Sequence, residues 1–316
     1  MSDVKQLAIV GHRGLVPTKL GLVHYASNNV NANARADSAV LPIVGFHMSP
    51  RSVDEYKEIM DGFACKETTS ADKPRLFIAM DEFGYGQSDN PNQSCTLDEI
   101  ADCFLEVLDH LKVRRCIVAG SLMGCYIALS LAARHPDRIS GVVCANLYYF
   151  QAAQREKAAS EDVKRDHSNS GSIPDTFGLR EDGSHISEIW GKRSGWLSPQ
   201  LNTRATWDNL NYLVKRGERY ARGISIQDGA AFPLPATCMK VNCPVLCING
   251  AKAFGFFDSI GMEMTKQFDE ATGFFPSPPM RVVIEGPAGA SINMLNENAK
   301  EWVEHVTKFV EKIEAE

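Results

Sequence analysis

The chain has 316 residues, 44% of them hydrophobic and 23% charged, with 33 Lys and Arg against 39 Asp and Glu for a net charge of −6. These values belong to a soluble globular protein with enough chain for one large domain, or for a core domain carrying an inserted lobe. The acidic balance argues against a nucleic-acid binder, which needs a basic face, and no apolar run approaches the roughly 20 residues of a membrane span.

The N-terminal Met1-Ser2-Asp3-Val4-Lys5-Gln6 lacks the basic-then-apolar order of a signal peptide. Gln6–Val10 and Leu22–Tyr25 read as short strands joined by a Gly/Pro turn, and the polar stretch Asn28–Ser38 follows. Val40–Val44 is a continuous apolar run and predicts a buried strand. Ser52–Phe63 has helical spacing, and Leu76–Met80 is a second buried strand. Thr96–Leu111 predicts a helix opened by a capping box, Thr96 capping while Glu99 reaches back. Cys116–Ala119, Val142–Ala145, Val245–Ile248 and Val282–Ile284 are further strands, and Met123–Arg134 is a helix. Ala299–Ile313 is a helix with Trp302, Val303, Val306, Phe309 and Val310 on one face. Buried strands alternating with helices predict an α/β fold, a doubly wound, mostly parallel sheet with helices on both faces. The segment 147–238 breaks this rhythm and reads as an inserted, mostly helical lobe, dividing the core into 1–146 and 239–316.

Nine cysteines is an odd number, and Cys116, Cys144 and Cys247 lie inside apolar runs. That pattern suggests reduced core thiols and a cytoplasmic location rather than a disulfide framework. No metal is expected, because Cys243 and Cys247 have no second ligand pair in reach and the histidines show no ligand spacing. Arg155–Arg165 mixes its cations with Glu156, Glu161 and Asp162 and reads as a solvated helix face.

The run Cys116-Ile-Val-Ala-Gly-Ser-Leu-Met-Gly-Cys-Tyr-Ile-Ala-Leu-Ser-Leu-Ala-Ala-Arg-His-Pro-Asp-Arg-Ile139 closely resembles the nucleophile-elbow region of the alpha/beta-hydrolase family. Val40-Leu-Pro-Ile-Val-Gly-Phe-His-Met-Ser49 is similar to the strand and loop that supply half of that family's oxyanion hole. Asp81-Glu-Phe-Gly-Tyr-Gly-Gln-Ser-Asp89 resembles its Asp-x-x-Gly-x-Gly-x-Ser-Asp loop, and Gly286-Pro-Ala-Gly-Ala-Ser-Ile-Asn293 resembles the loop that carries its catalytic histidine. Together the four motifs imply a sheet of alpha/beta-hydrolase type with the inserted lobe as a helical cap.

The resemblance does not extend to the reacting groups. Family chemistry needs a nucleophile, a histidine and a carboxylate. In the frame set by Gly120 and Gly124 the nucleophile position is Leu122; a frame on Ser121 would put Met123 where a small residue is wanted. The carboxylate position after Val245–Ile248 is Ala253, with Asp258 a displaced acid or a helix cap. The histidine position, after Gly289, is Ala290. A leucine has no lone pair with which to attack, so catalysis by the family mechanism is not expected.

The remaining candidates each have two readings. Gly45, Phe46 and Met123 keep backbone freedom and amides for an anion or carbonyl site. His47 is either a relocated base or ligand donor, or a loop histidine bonded to nearby backbone. Ser121 is either a ligand donor or turned away from the pocket, and Cys125 reads as packing. Asp81 with Gly84 and Gly86 reads as a structural loop. Tyr148, Tyr149, Phe150, Trp190 and Trp196 read as a pocket roof or as lobe core.

The expected function is a non-hydrolytic binder of an apolar small molecule or of a protein partner, a homodimer included, with no cofactor, no nucleic acid and no membrane. The alternatives are a cofactor-free hydrolase, lyase or isomerase of another mechanism on the same fold, with His47 or Asp258 holding a water, and a subunit or regulator of another protein.

Overall fold

Successive residues of each central strand face opposite sides of the sheet, and this sorts the core into two apolar clusters. Ile117 and Ala119 join Ile43, Phe77 and Val143 in one, whereas Cys116 and Val118 join Val44, Ile78 and Val142 in the other. The computed structural model describes residues 12–28, 40–64, 74–149, 180–194, 197–227, 229–259, 263–286 and 290–315.

The strands are β1 (His12–Thr18), β2 (Gly21–Ser27), β3 (Ile43–Phe46), β4 (Phe77–Met80), β5 (Cys116–Ser121), β6 (Ile139–Ala145), β7 (Val245–Gly250) and β8 (Met280–Ile284). They form one sheet in the order β1-β2-β4-β3-β5-β6-β7-β8. β2 runs antiparallel to both β1 and β4, and the remaining pairs are parallel. A 3₁₀ turn at Val53–Tyr56 leads into α1 (Lys57–Ala64); α2 is Leu97–His110 and α3 is Gly124–Arg134. Between β6 and β7 lie α4 (Ser184–Ser194), α5 (Pro199–Ala221) and α6 (Leu234–Cys238). After β7 come α7 (Ala253–Ser259), α8 (Met264–Thr272), α9 (Met294–Glu297) and α10 (Ala299–Ala315). Helices α2 and α3 cover one face of the sheet, and α1 and α10 cover the other.

The capping box forms as expected: Glu99 N–H donates to Thr96 Oγ1 at 3.2 Å, and Thr96 N–H donates to Glu99 Oε2 at 2.8 Å. The predicted α10 face, Trp302, Val303, Val306, Phe309 and Val310, is buried.

Three expectations need correction. The stretch read as a Gly/Pro turn is strand β1, and Pro17 is accommodated because β1 is the sheet's edge. Strand β3 starts later than expected, after Pro42, whose carbonyl accepts from Ile117 N–H at 2.9 Å. The Ser52–Phe63 helix begins with a tighter 3₁₀ turn. Gln6–Val10, Arg155–Arg165, Phe150 and Trp196 lie outside the described residues.

Helix α5 is fastened across the loops that follow β3 and β4. Asp208 pairs with Arg51, Arg204 bonds Glu58, Asn211 donates to the Gly86 carbonyl, and Tyr212 stacks on Tyr85 at 4.8 Å.

Candidate functional site

Between β5 and α3 the chain turns through Leu122 with φ +46°, in the left-handed region that leucine rarely enters. Leu122 N–H donates to Ala145 O at 2.9 Å, which ties the bend to the end of β6. A methyl at Gly120 would strike the backbone of Gly124 and Cys125, and one at Gly124 would strike the Phe46 carbonyl. These two contacts select the Gly120/Leu122/Gly124 frame on steric grounds. Leu122 is 9% exposed and belongs to the cluster on the α2 and α3 side. Met123 and Gly124 open α3, where Cys125 N–H donates to Leu122 O and Tyr126 N–H donates to Met123 O, each at 3.0 Å.

Ser121 points away from the apex. Its hydroxyl donates to Glu55 Oε1 at 3.0 Å, and Met48 N–H donates to Glu55 Oε2 at 2.7 Å. Glu55 is fully buried, and burial pushes its carboxyl up against the opposing pull of Arg51 and the Met48 N–H. Cys125 is buried, with its thiol 3.3 Å from Gly120 O.

His47 is fully buried and both ring nitrogens are engaged by backbone. Nδ1 donates to Met48 O and Nε2 accepts from Glu82 N–H, each at 3.0 Å. One partner only accepts and the other only donates, so the ring is the neutral Nδ1–H tautomer. It braces the β3 loop against the β4 loop and has no nitrogen left to act as a base. Phe46 is buried, stacks on Phe104 at 5.1 Å and accepts from Tyr56 Oη at 2.8 Å. Gly45 leaves room for Phe77 and Tyr56.

Asp81 does what the loop motif suggested. It accepts from Val53 and Gln87 N–H, each at 2.7 Å, and lies 2.7 Å from His24 Nδ1. The neighbouring Glu82 is a different matter: burial pushes its carboxyl up to about 7, and its Oε1 has no hydrogen-bond partner among the described residues.

An aromatic layer covers the first turn of α3. Tyr126 stacks on Phe232 at 5.2 Å, its hydroxyl donates to Tyr148 O at 3.0 Å, and Tyr148 Oη lies 2.8 Å from Met123 Sδ. Tyr148 thus sits above the elbow. Trp190, on α4, is 43% exposed.

Ala253 opens α7 and shares Leu122's cluster. Asp258, further along α7, accepts from Thr265 Oγ1 at 2.5 Å and from Thr265 N–H, in the first turn of α8, at 3.3 Å; of its two readings it takes the capping one, on the helix that follows. Ala290 is buried in the opposite cluster with Ile284 and Met294, while Ile292 packs against the cluster that holds Leu122. The β8 loop thus packs Ala290 on one face of the sheet and Ile292 on the face that holds Leu122. Residues 287–289 lie outside the described set.

Asn146 is central to this region and was missed. It is buried with φ +53°, its Oδ1 accepts from Gly250 N–H at 3.1 Å, and its Nδ2 donates to Ile292 O at 3.4 Å. A small amide closing the apolar run Val142–Ala145 is the available sequence signal, because Asn tolerates the left-handed region. No group of three or more His, Cys, Asp or Glu among the described residues is placed to hold a metal ion, and no described helix is long and apolar enough to cross a membrane.

The chain matches the alpha/beta hydrolase fold family over residues 69–295, and it belongs to that family. It is 27% identical to haloalkane dehalogenase 2 of Mycobacterium tuberculosis over 137 residues, which is 42% of this chain and 41% of that protein. It is 38% identical to 2-hydroxymuconate semialdehyde hydrolase of a Pseudomonas species over 72 residues, 22% of this chain and 25% of that one. The chain thus spans less than half the length of these curated relatives. In overall fold it is similar to a thermophilic esterase from Thermogutta terrifontis, with TM-score 0.64 and 15% identity over 96% of this chain and 99% of that one.

Proposed function

We propose that this alpha/beta-hydrolase-fold chain performs no acyl transfer at its elbow and instead binds an apolar small molecule between the sheet and segment 147–238, which serves as a cap. The observation that carries this reading is Leu122, a hydrocarbon side chain at the left-handed apex where the family mechanism needs a lone pair. Ala253 and Ile292 extend the hydrocarbon character, and Met123, Tyr126 and Tyr148 supply an apolar wall. Eight free cysteines among the described residues suit a reducing, cytoplasmic setting.

The test is a panel of p-nitrophenyl esters, a lactone and an epoxide with purified protein, beside native mass spectrometry of protein taken from its source cells. Expected are no turnover above the buffer rate and an apolar adduct of defined mass. Turnover that disappears when Leu122 alone is changed would overturn the reading.

A second reading, a protein partner or a homodimer, draws support from Ile186 and Trp190 on α4 and Trp207 and Val214 on α5, all exposed. Light scattering of the purified chain, alone and in native extract, separates the two. An unusual lyase or isomerase has less support, because His47 has both nitrogens bound to backbone.

A further inference from the structure

The turn joining α2 to β5 and the turn joining α3 to β6 border a cleft of about 750 Å³ at the N-terminal ends of β5 and β6, the opposite end of these strands from the elbow. Four cations line it, Lys112, Arg114, Arg115 and Arg138, against two carboxylates, Asp109 and Asp137. In a chain of net charge −6, such a concentration of cations is a local feature and not a consequence of composition.

The four cations are not equivalent. Arg138 is committed to the fold: it pairs with Asp109 at 2.7 Å and donates to the Arg114 carbonyl at 2.6 Å. Lys112, Arg114 and Arg115 are exposed, and among the described residues none has a carboxylate within ion-pair distance. Lys112 also has φ +59°, one residue past the α2 cap at Leu111. That position is ordinarily given to glycine, because a side chain there is strained. A cation near a helix C-terminus offsets the helix dipole, but that role does not require a residue in the left-handed region. Strain retained beside unpaired charge marks functional positions.

We propose that this cleft binds a phosphate-bearing anion, with Lys112, Arg114 and Arg115 meeting its oxygens. A phosphate carries more than one charge on oxygens that a guanidinium fork can grip two at a time, and an ammonium adds a point charge. A free phosphate ester and a lipid headgroup present the same chemistry.

The test is calorimetric titration of the full chain with inorganic pyrophosphate at low salt, beside flotation with vesicles of phosphatidylcholine containing or lacking phosphatidic acid. Binding in either arm is expected, and the arm that responds identifies the source. Arg115→Ala should weaken it roughly tenfold, and added salt should weaken it further. Lys112→Gly is the discriminating variant: affinity should fall by a similar factor while the thermal midpoint rises, because glycine takes the left-handed turn without strain. Failure of both arms, binding unchanged by either variant, citrate bound as tightly as pyrophosphate, or a thermal midpoint that falls with Lys112→Gly would each overturn the assignment. The cleft lies at the opposite end of β5 from the elbow, so these outcomes do not bear on the elbow.

Discussion

Arg51 and Asp208 form an ion pair, Nε to Oδ2 2.9 Å, with both side chains almost wholly removed from solvent. One comes from the loop after β3 and the other from the middle of α5, so the pair bolts the inserted helix to the upper edge of the sheet. Ser52 Oγ donates to the second carboxylate oxygen at 2.8 Å. Burial pushes the Asp208 carboxyl up, and Arg51 and Ser52 pull it back. Removing one partner strands the other charge. Arg51→Ala should therefore cost about 3–5 kcal/mol in urea unfolding, whereas Arg51→Met with Asp208→Leu should cost far less. Equal losses in the two variants would contradict this account.

Glu82 carries a pH dependence with a definite sign. Burial raises its carboxyl from 4.5 to about 7 in the folded protein. Between those values the folded state holds a proton that the unfolded chain has released, so stability is fully present below about pH 4.5 and declines as pH climbs through 7. Relative to wild type, Glu82→Gln should gain stability across that window, by up to about 3 kcal/mol at pH 8, and gain nothing at pH 4. Chemical denaturation at the two pH values reads this out.

The two elbow glycines predict a contrast within one residue type. Gly124→Ala places a methyl on the Phe46 carbonyl, and Gly120→Ala places one on the start of α3. Each should lower stability by about 3 kcal/mol or more. Gly191, within α4, has open space around it. Gly191→Ala should instead raise stability by about 0.5–1 kcal/mol, because alanine costs less backbone entropy. Thermal melts of the three variants give the ranking.

Asn146 combines a left-handed backbone with two hydrogen bonds across strand ends. Asn146→Gly keeps the backbone freedom and loses the bonds; Asn146→Ala loses both. The expected order of melting temperature is Asn, then Gly, then Ala, with a span of about 2–3 kcal/mol. An alanine variant at least as stable as the glycine variant would show that the backbone conformation contributes little.

The sheet was legible from its apolar runs because parallel strands buried on both faces leave an unbroken hydrophobic signal, as Cys116–Ala119 and Val245–Ile248 do. Edge strand β1 left no such signal, since its exposed residues and Pro17 read as a turn. At the elbow, glycine spacing was enough to locate Leu122, because the close contacts at Gly120 and Gly124 tolerate no side chain. Glu55, Glu82 and Asn146 were not legible in this way. Their roles depend on loops far apart in sequence meeting above the sheet, and a polar letter in a loop looks the same whether it meets water or a buried amide. Ala290 and Ile292 show the same limit: residues two apart in one loop pack on opposite faces of the sheet.

The bend at Leu122 belongs to the chain around it rather than to the leucine. Gly120, Gly124 and the hydrogen bond to Ala145 set the backbone, so any side chain at 122 is thrown in the same direction. The apex is thus a mounting bracket from which the tool can be exchanged. A serine, cysteine or aspartate put there would arrive already aimed.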